Sequence, residues 1–204
     1  MATNAQNKST RTRSTGSNDQ GSLFGGPTGA MIGAAAAGVA VGLMANLGRK
    51  AAVQSPTYLA GDWDEALAAE HAATLKLFDA LQATSEKNTT KRSMLLMQLK
   101  HALAKHALQE ENAVYPALRD AGQAGEADHL NHDHGYVKQF LYDLGNMPKD
   151  SPAFLAKVGE FRSAVEEHAR EEENDIFPKL KAKLSPELNK ALTTAMNREG
   201  FKLA

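Results

Sequence analysis

Residues 106–118 read HALQEENAVYPAL, and residues 168–180 read HAREEENDIFPKL. Both copies keep a His, a Glu four positions later, an Asn, and an apolar–aromatic–Pro end. Positions i and i+4 lie on one face of a helix, so each copy directs one imidazole and one carboxylate the same way. Such a pair of side chains can bind a metal ion, and two copies could hold two ions, or one ion from two sides.

The composition excludes several classes of site. The chain has 204 residues, which suits one compact domain with extensions. It contains no cysteine, which rules out disulfides, zinc fingers, thiolate-bound clusters and cysteine nucleophiles. The formal net charge of −1 provides no overall attraction to nucleic acid or anionic lipid, so no nucleic-acid partner is expected.

The N-terminal quarter of the chain differs from the rest. Residues 1–28 are polar and low in apolar groups, which predicts a disordered tail. Residues 29–50 form a Gly- and Ala-rich hydrophobic segment, in which 29–48 carry no charge and could cross a bilayer as a helix. Three interpretations stay open for 29–48: a membrane-associated helix, a self-associating soluble segment, or an export signal. Otherwise we expect a cytoplasmic protein, with residues 51–61 as a linker.

The rest of the chain has helical periodicity and no strand pattern. Four long helices are predicted, followed by a short fifth: from Asp62 to about Thr84, from Asn88 to Tyr115 or a little beyond, over 126–144, from Ser151 to about Pro178, and from Ser185 to Gly200. Pro116 either kinks or ends the second helix, and the fourth ends near Pro178 or runs through it with a kink. Short connections between such helices predict an all-α fold, an antiparallel up-down four-helix bundle over residues 62–181, with the C-terminal helix in 182–204.

The repeat extends to the first and third helices. His71 in the first aligns with His134 in the third, and each is in phase with the apolar stripe of its helix. Two copies of one helical hairpin, packed about a pseudo-two-fold axis, would bring six side chains to one buried point. These candidate ligands are His71, His106, Glu110, His134, His168 and Glu172.

Other polar and aromatic residues of the motifs are assigned more ordinary positions. His101, His129 and His132 are out of phase with the predicted ligands, so we expect them at the surface or behind the ligands. We expect Glu111 and Glu173 to be surface charges rather than acceptors for the ligand imidazoles. Tyr115 and Phe177 are expected to close the end of the bundle rather than to act as redox groups.

Four imidazoles and two carboxylates suit Fe, Mn, Zn or Cu better than Ca or Mg, which prefer oxygen ligands throughout. Two ions sharing six ligands need bridges, and Glu110 and Glu172 could each span both ions. That arrangement leaves an oxo or hydroxo bridge and open positions, where a small ligand such as dioxygen, peroxide or nitric oxide could bind.

The E-H of the first helix, the D-H of the third, and the doubled H-x-x-x-E-E with its aromatic–Pro end resemble the haemerythrin-like, HHE cation-binding domain family over residues 62–181. The resemblance implies a centre of two iron ions held by the six candidate ligands, with Mn or Zn as alternatives. Oxygen-carrying haemerythrins have a further His where this chain has Lys138, and their last carboxylate is an Asp five residues after its His, whereas Glu172 follows His168 by four.

These differences weigh against reversible dioxygen carriage. They leave room for reaction with peroxide or nitric oxide, iron or oxygen sensing, or metal storage. A metal-free structural bundle held by His–Glu ion pairs is the remaining alternative.

Overall fold

The computed structural model describes residues 44–204, and within this range every regular element is helical. The helices are α1 over 44–59, α2 Trp63–Gln82, α3 Thr89–Gln109, α4 Tyr115–Asp120, α5 Ala124–Asn146, α6 Phe154–Glu171, α7 Phe177–Lys183 and α8 Pro186–Leu203. Two five-residue π-helical segments join α3 to α4 and α6 to α7, namely Glu110–Val114 and Glu172–Ile176. The prediction of an all-α fold is confirmed.

Helices α2, α3, α5 and α6 form a four-helix bundle, in which α2 packs on α3 and α6, and α5 packs on α6, α3 and α4. Its core consists of two apolar clusters. One contains Trp63, Leu67 and Phe177, and the other contains Phe78 and Phe161. On α2 the predicted ligand His71 falls between Leu67 of the first cluster and Phe78 of the second. The polar centre therefore lies between the two apolar clusters of the core.

The chain continues through both motif prolines instead of ending there. In the π segments the backbone N–H of Tyr115 donates to Glu110 O, and that of Phe177 donates to Glu172 O, a spacing of five residues. The wider turn accommodates a residue without an N–H, and α4 and α7 begin with Pro116 and Pro178 near their first positions.

The repeated Asn of the motif supports this geometry. Its side-chain amide donates back along the helix in both copies, from Asn112 to Leu108 O and from Asn174 to Arg170 O, each at 2.9 Å. A carbonyl near each π segment thereby gains a side-chain donor. The identical contact in the two copies extends the pseudo-two-fold repeat to the backbone.

The prediction of a linker over 51–61 is wrong for most of its length, because residues 51–59 belong to α1. Pro56 removes one backbone donor from that helix. The hydroxyl of Ser55 donates to Ala52 O at 3.1 Å, the carbonyl that the missing N–H of Pro56 would have bonded. Two buried polar side chains also hold α1 against the rest of the protein. Gln54 Nε2 donates to Asn197 Oδ1 of α8, and Thr57 Oγ1 accepts from Lys105 Nζ of α3.

The C-terminal helix α8 begins as predicted, with the Ser185 hydroxyl accepting from the N–H of Leu188. It runs past the expected end at Gly200 to Leu203. Gly200 is buried where α8 meets the bundle, and a Cβ built there would lie 2.7 Å from Gln54 Oε1 and 2.8 Å from Gln109 Nε2. A glycine is therefore needed for this close approach.

The predictions for residues 1–43, a disordered tail and most of the hydrophobic segment, lie outside the described residues. Over 44–204, the helices include none that is long and apolar enough to cross a membrane. Association with a membrane or with itself through residues 29–48 stays a prediction.

Candidate metal centre

The structure brings all six predicted residues together. Each bundle helix supplies one imidazole, and none of the four His residues is more than 9% exposed. Their Nε2 atoms turn toward two fully buried carboxylates. The Nε2 atom of His106 lies 3.0 Å from Glu110 Oε1, that of His134 lies 3.2 Å from Glu110 Oε2, that of His71 lies 3.3 Å from Glu172 Oε2, and that of His168 lies 3.4 Å from Glu172 Oε1.

Each carboxylate faces both halves of the repeat. Glu110 directs Oε1 toward His106 of the first hairpin and Oε2 toward His134 of the second. Glu172 directs Oε2 toward His71 and Oε1 toward His168, so it also spans the two hairpins. The His and Glu donors fall into two groups of mutually close atoms, and Glu110 belongs to both.

A second layer of four acidic side chains lies behind the imidazoles. Each contacts an Nδ1 atom: Glu173 with His71 at 2.8 Å, Glu111 with His134 at 2.9 Å, Glu70 with His106 at 3.3 Å and Asp133 with His168 at 3.5 Å. A carboxylate that accepts from Nδ1–H orients the ring and leaves the lone pair on Nε2 directed at the centre. Three of the acids thus prepare their rings for binding a cation, namely Glu173, Glu70 and Glu111. Asp133 lies near His168 Nδ1 without a hydrogen bond of good geometry.

The prediction that Glu111 and Glu173 are surface charges is therefore wrong. Their side chains are partly exposed, but each reaches an imidazole on a neighbouring helix rather than on its own. The other two acids, Glu70 and Asp133, immediately precede the ligand His residues of α2 and α5. The repeated acid–His and Glu–Glu pairs in the sequence were the signal that could have identified all four.

Glu70 is held most firmly of the four. Its carboxylate accepts from Thr57 Oγ1 and from Lys105 Nζ at 2.7 Å, and the Gln109 amide, oriented with its nitrogen toward the carboxylate, donates at 2.8 Å. Burial alone would raise the pKa of Glu70, but the hydrogen bond and charge of His106, together with Lys105, lower that pKa to about 2. Glu70 is therefore a fixed anion behind His106.

Tyr115 also reaches the centre, contrary to the prediction that it only closes the bundle end. Its hydroxyl lies 3.1 Å from His134 Nε2, 3.3 Å from Glu172 Oε1 and 3.4 Å from Glu110 Oε2. Five residues make about one turn of a π-helix, so Tyr115 returns to the face of Glu110. Phe177 occupies the equivalent place in the second copy, so the centre has one hydroxyl and not two.

The charges at the centre depend on one another. Burial would lower the pKa of His134, but the hydrogen bonds that its ring donates to Glu110 and Glu111 raise that pKa to about 9. Burial would likewise lower the pKa of His106, and the charge of Glu110 raises it well above its usual range. A cation that binds here replaces protons on these rings, which couples its affinity to pH.

The residues present fit a bound cation. Several buried polar atoms that face the centre have no hydrogen-bond partner, namely His71 Nε2, His106 Nε2, His168 Nε2, Glu110 Oε1 and Glu172 Oε2. Unpaired buried donors and acceptors are costly, and a metal ion coordinated by these same atoms would remove that cost. The three remaining histidines, His101, His129 and His132, are exposed, as expected.

A four-helix bundle with a buried, pseudo-symmetric set of imidazoles around shared carboxylates defines a class of cation-binding helical domains. The sequence profile described as Hemerythrin HHE cation binding domain matches residues 64–180. The chain belongs to this family. The family and the buried His/Glu cluster together indicate metal binding.

Individual relatives support the family and little more. A hemerythrin-like protein of Schizosaccharomyces pombe is 30% identical over 99 residues, which cover 47% of this chain and 49% of that protein. A DNA nickase of Nostoc is 26% identical over 52% of this chain and 30% of its own length. An uncharacterized protein of Mycobacterium tuberculosis is 31% identical over 45% of this chain and 55% of its own length. The matches thus span about half or less of these relatives.

Proposed function

We propose that this protein holds two iron ions at the buried centre, and that the ions bind or react with a small ligand such as dioxygen, peroxide or nitric oxide. The proposed ligands are His71, His106, Glu110, His134, His168 and Glu172. The observation that carries the proposal is that Glu110 and Glu172 each direct one oxygen toward each hairpin. That orientation suits two ions bridged by two carboxylates better than one ion.

The resemblance to the haemerythrin-like family favours iron, and the donors are compatible with it. Each ion would receive two imidazole nitrogens and two carboxylate oxygens, a mixed set that suits Fe and also admits Mn or Zn. Four protein donors leave positions open on an ion that prefers six. Bound iron supplies electron transfer and a Lewis acid to a ligand that enters those positions.

The chain's own residues would position the ions and exclude water. Acids hydrogen-bonded to Nδ1 fix the Nε2 directions of His71, His106 and His134, and the two apolar clusters close the bundle above and below the centre. Tyr115 places one O–H within hydrogen-bond reach of Glu110 and Glu172. That O–H can instead donate to a ligand oxygen at the centre.

A path for a small uncharged ligand lies between α3 and α5. A cavity of about 350 Å³ reaches His134 there, lined by Leu103, Ala104, Ala107, Val137 and Leu141 together with Lys100, Lys138 and Tyr142. The apolar side chains form most of its lining and suit a diatomic molecule. This cavity supports dioxygen or nitric oxide as the ligand class.

Lys138 supports reaction or sensing over reversible carriage. Its Nζ lies 3.2 Å from Glu111 Oε1 and its side chain is 66% exposed, so it adds no nitrogen to the centre. The centre therefore offers four imidazoles. With fewer nitrogen ligands, more positions are open to solvent, peroxide or a second small molecule.

The test is the metal content and the ultraviolet–visible spectrum of the protein after anaerobic loading with Fe²⁺ and exposure to air or nitric oxide. We expect two iron ions per chain and a spectrum that changes with the added ligand. His106→Ala and His168→Ala should lose iron, whereas His101→Ala, which alters an exposed residue of the same helix as His106, should not. Equal iron in all four proteins, or none in the wild type, would refute the proposal.

A sensor is the second candidate, and helix α1 favours it. Lys105 joins this helix to the centre, since its Nζ contacts Gln54 and Thr57 of α1 as well as Glu70, which holds His106. Occupancy of the centre could therefore alter how firmly α1 is bound. Hydrogen exchange of the α1 amides should then differ between the metal-free and loaded proteins, and identical exchange would exclude this route of output.

A further inference from the structure

The two hairpins differ on their outer faces. Behind His106, Glu70 is enclosed by Thr57, Lys105 and Gln109, and the ammonium group of Lys105 balances its charge. Helices α1 and α8 cover this side, as the buried Gln54 and Gly200 show. A cavity of about 230 Å³ also reaches Glu70 on this side, but the ammonium group of Lys105 lines it and balances the carboxylate.

The second hairpin has different residues at the equivalent positions. The repeat aligns Glu70 with Asp133, Lys105 with Glu167, Gln109 with Glu171, and Ala66 with His129. A cation and an amide are thus replaced by two carboxylates, and a buried small residue by an exposed imidazole. The charge that Lys105 supplies in the first hairpin has no counterpart among these residues of the second.

A cavity of about 330 Å³ opens between α5 and α6 at this place. Its walls include the carboxylates of Asp133, Glu167 and Glu171 and the rings of His129 and His168, with no Lys or Arg among the described residues that line it. The His129 Nε2 atom lies 3.2 Å from Glu171 Oε2 and 3.8 Å from Asp133 Oδ2. Donor atoms around one transition-metal ion at about 2.1 Å stand roughly 3–4 Å apart, which these separations match.

A buried, unpartnered atom points into the same cavity. His168 is only 9% exposed, and its Nδ1 makes no hydrogen bond of good geometry. The nearest acceptor is Asp133 Oδ2 at 3.5 Å, the same oxygen that faces His129. Asp133 thus stands between a surface imidazole and a ligand imidazole.

We propose that His129, Asp133 and Glu171 form a peripheral divalent-cation site, which takes a transition-metal ion such as Fe²⁺ from solvent and supplies it to the buried centre. This inference rests on the proposed function of that centre. One imidazole nitrogen with two carboxylate oxygens favours a transition metal over Mg²⁺ or Ca²⁺. The partial exposure of all three side chains makes the site weak and exchangeable, as a loading site must be.

The arrangement would let the centre fill from one side. Negative charge in a cleft raises the local concentration of cations and their rate of association by about 10–1,000-fold. The acidic cavity reaches His168, whereas the cavity that reaches Glu70 behind His106 holds the Lys105 ammonium group, which repels cations. The pseudo-symmetric fold would therefore hold metal with both hairpins and receive it through the second.

The test measures how fast the metal-free, full-length protein takes up Co²⁺ at micromolar concentration and low ionic strength. His129→Ala and Glu171→Gln should each slow loading by about tenfold or more. Their final Co²⁺ content and spectrum should match the wild type, because none of the six central ligands is changed. The matched controls are His101→Ala, an exposed His on α3, and Glu160→Gln, which removes one exposed charge elsewhere on α6.

Loading at the wild-type rate in His129→Ala and Glu171→Gln, or equal slowing in the two controls, would overturn the inference and leave the proposed function intact. A wild-type protein that takes up no Co²⁺ would overturn both. A direct measurement follows on protein whose centre is already filled. A Mn²⁺ titration followed by electron paramagnetic resonance should show one further site that His129→Ala lacks, and its absence in the wild type would also overturn the inference.

Discussion

Replacing Lys105 with Met should destabilise the protein far more than replacing an ordinary surface lysine. Lys105 is buried, and its Nζ lies 2.7 Å from Glu70 Oε1, 3.0 Å from Thr57 Oγ1 and 3.1 Å from Gln54 Oε1. Met keeps the length of the apolar stem, so the loss is confined to the ammonium group and its three hydrogen bonds.

The size of the effect follows from what remains around Glu70. Removing one partner of a buried ion pair costs about 3–5 kcal/mol, because the other charge is left without compensation. Glu70 keeps donors from Thr57, Gln109 and His106, so we expect the lower end, about 3 kcal/mol. At roughly 2–4 °C per kcal/mol for a domain of this size, the unfolding midpoint should fall by about 6–12 °C.

The assay is urea and thermal unfolding of chelator-treated protein, followed by circular dichroism. The matched control is Lys138→Met, because Lys138 pairs with Glu111 at 3.2 Å but is 66% exposed, and such a pair contributes below about 1 kcal/mol. Adding Glu70→Gln to Lys105→Met should recover part of the loss, since it removes the uncompensated charge. Unfolding of Lys105→Met and Lys138→Met at the same urea concentration would refute the reasoning.

Four further predictions concern the packing and the centre. Gly200→Ala should destabilise by about 1–3 kcal/mol in thermal unfolding through overpacking, whereas Gly135→Ala, with open space around its Cβ, should stabilise by about 0.5–1 kcal/mol. Tyr115→Phe should keep the metal content, because it removes none of the six proposed ligands and the second hairpin has Phe177 at the equivalent position, but it should change the spectrum after nitric oxide is added. Ala107→Leu should narrow the apolar cavity and slow reaction with nitric oxide at unchanged iron content, and an unaltered rate would exclude this path. The pKa of His134 is raised from 6.5 to about 9, so its contribution to the stability of the metal-free protein is complete below pH 6.5 and is lost as the pH rises through about 9. Free energies of unfolding measured between these two pH values will test this dependence.

The six central residues could be predicted because the repeat and the helical period agree on them. An i, i+4 pair such as His106 and Glu110 lies within one helix, and its direction depends only on helical geometry. The partner of that pair on the other hairpin followed from the alignment of the two motifs. The internal repeat thus indicated which residues of different helices meet, and the periodicity of a single helix cannot show this.

Two other features were missed because they depend on backbone geometry that the ordinary helical period does not describe. A helical wheel at 3.6 residues per turn places Tyr115 well away from Glu110, and only the π segment returns it to the same face. The prediction of a linker failed because Pro56 is a strong helix breaker, whereas the compensating Ser55 hydroxyl bond is visible only once the helix exists.

The contacts of Glu111 and Glu173 were missed for a different reason. Each reaches an imidazole on an adjacent helix, and the distance depends on how closely the helices pack. Sequence spacing carries no such information. The repeated second Glu of the motif was visible, but a surface charge explains an exposed Glu equally well until the neighbouring helix is placed.

Each π segment contains a single residue more than a regular turn would hold, and the wider turn absorbs that residue, so Tyr115 still lies on the face of Glu110. Deleting Ala113 would place the tyrosine four residues after Glu110, on the same face of an ordinary α-helix. Regular winding without the deletion would instead place it about 140° away from Glu110. The extra residue and the wider turn must therefore be gained or lost together, and a single-codon change at this point can do so without altering a coordinating side chain or displacing the tyrosine hydroxyl.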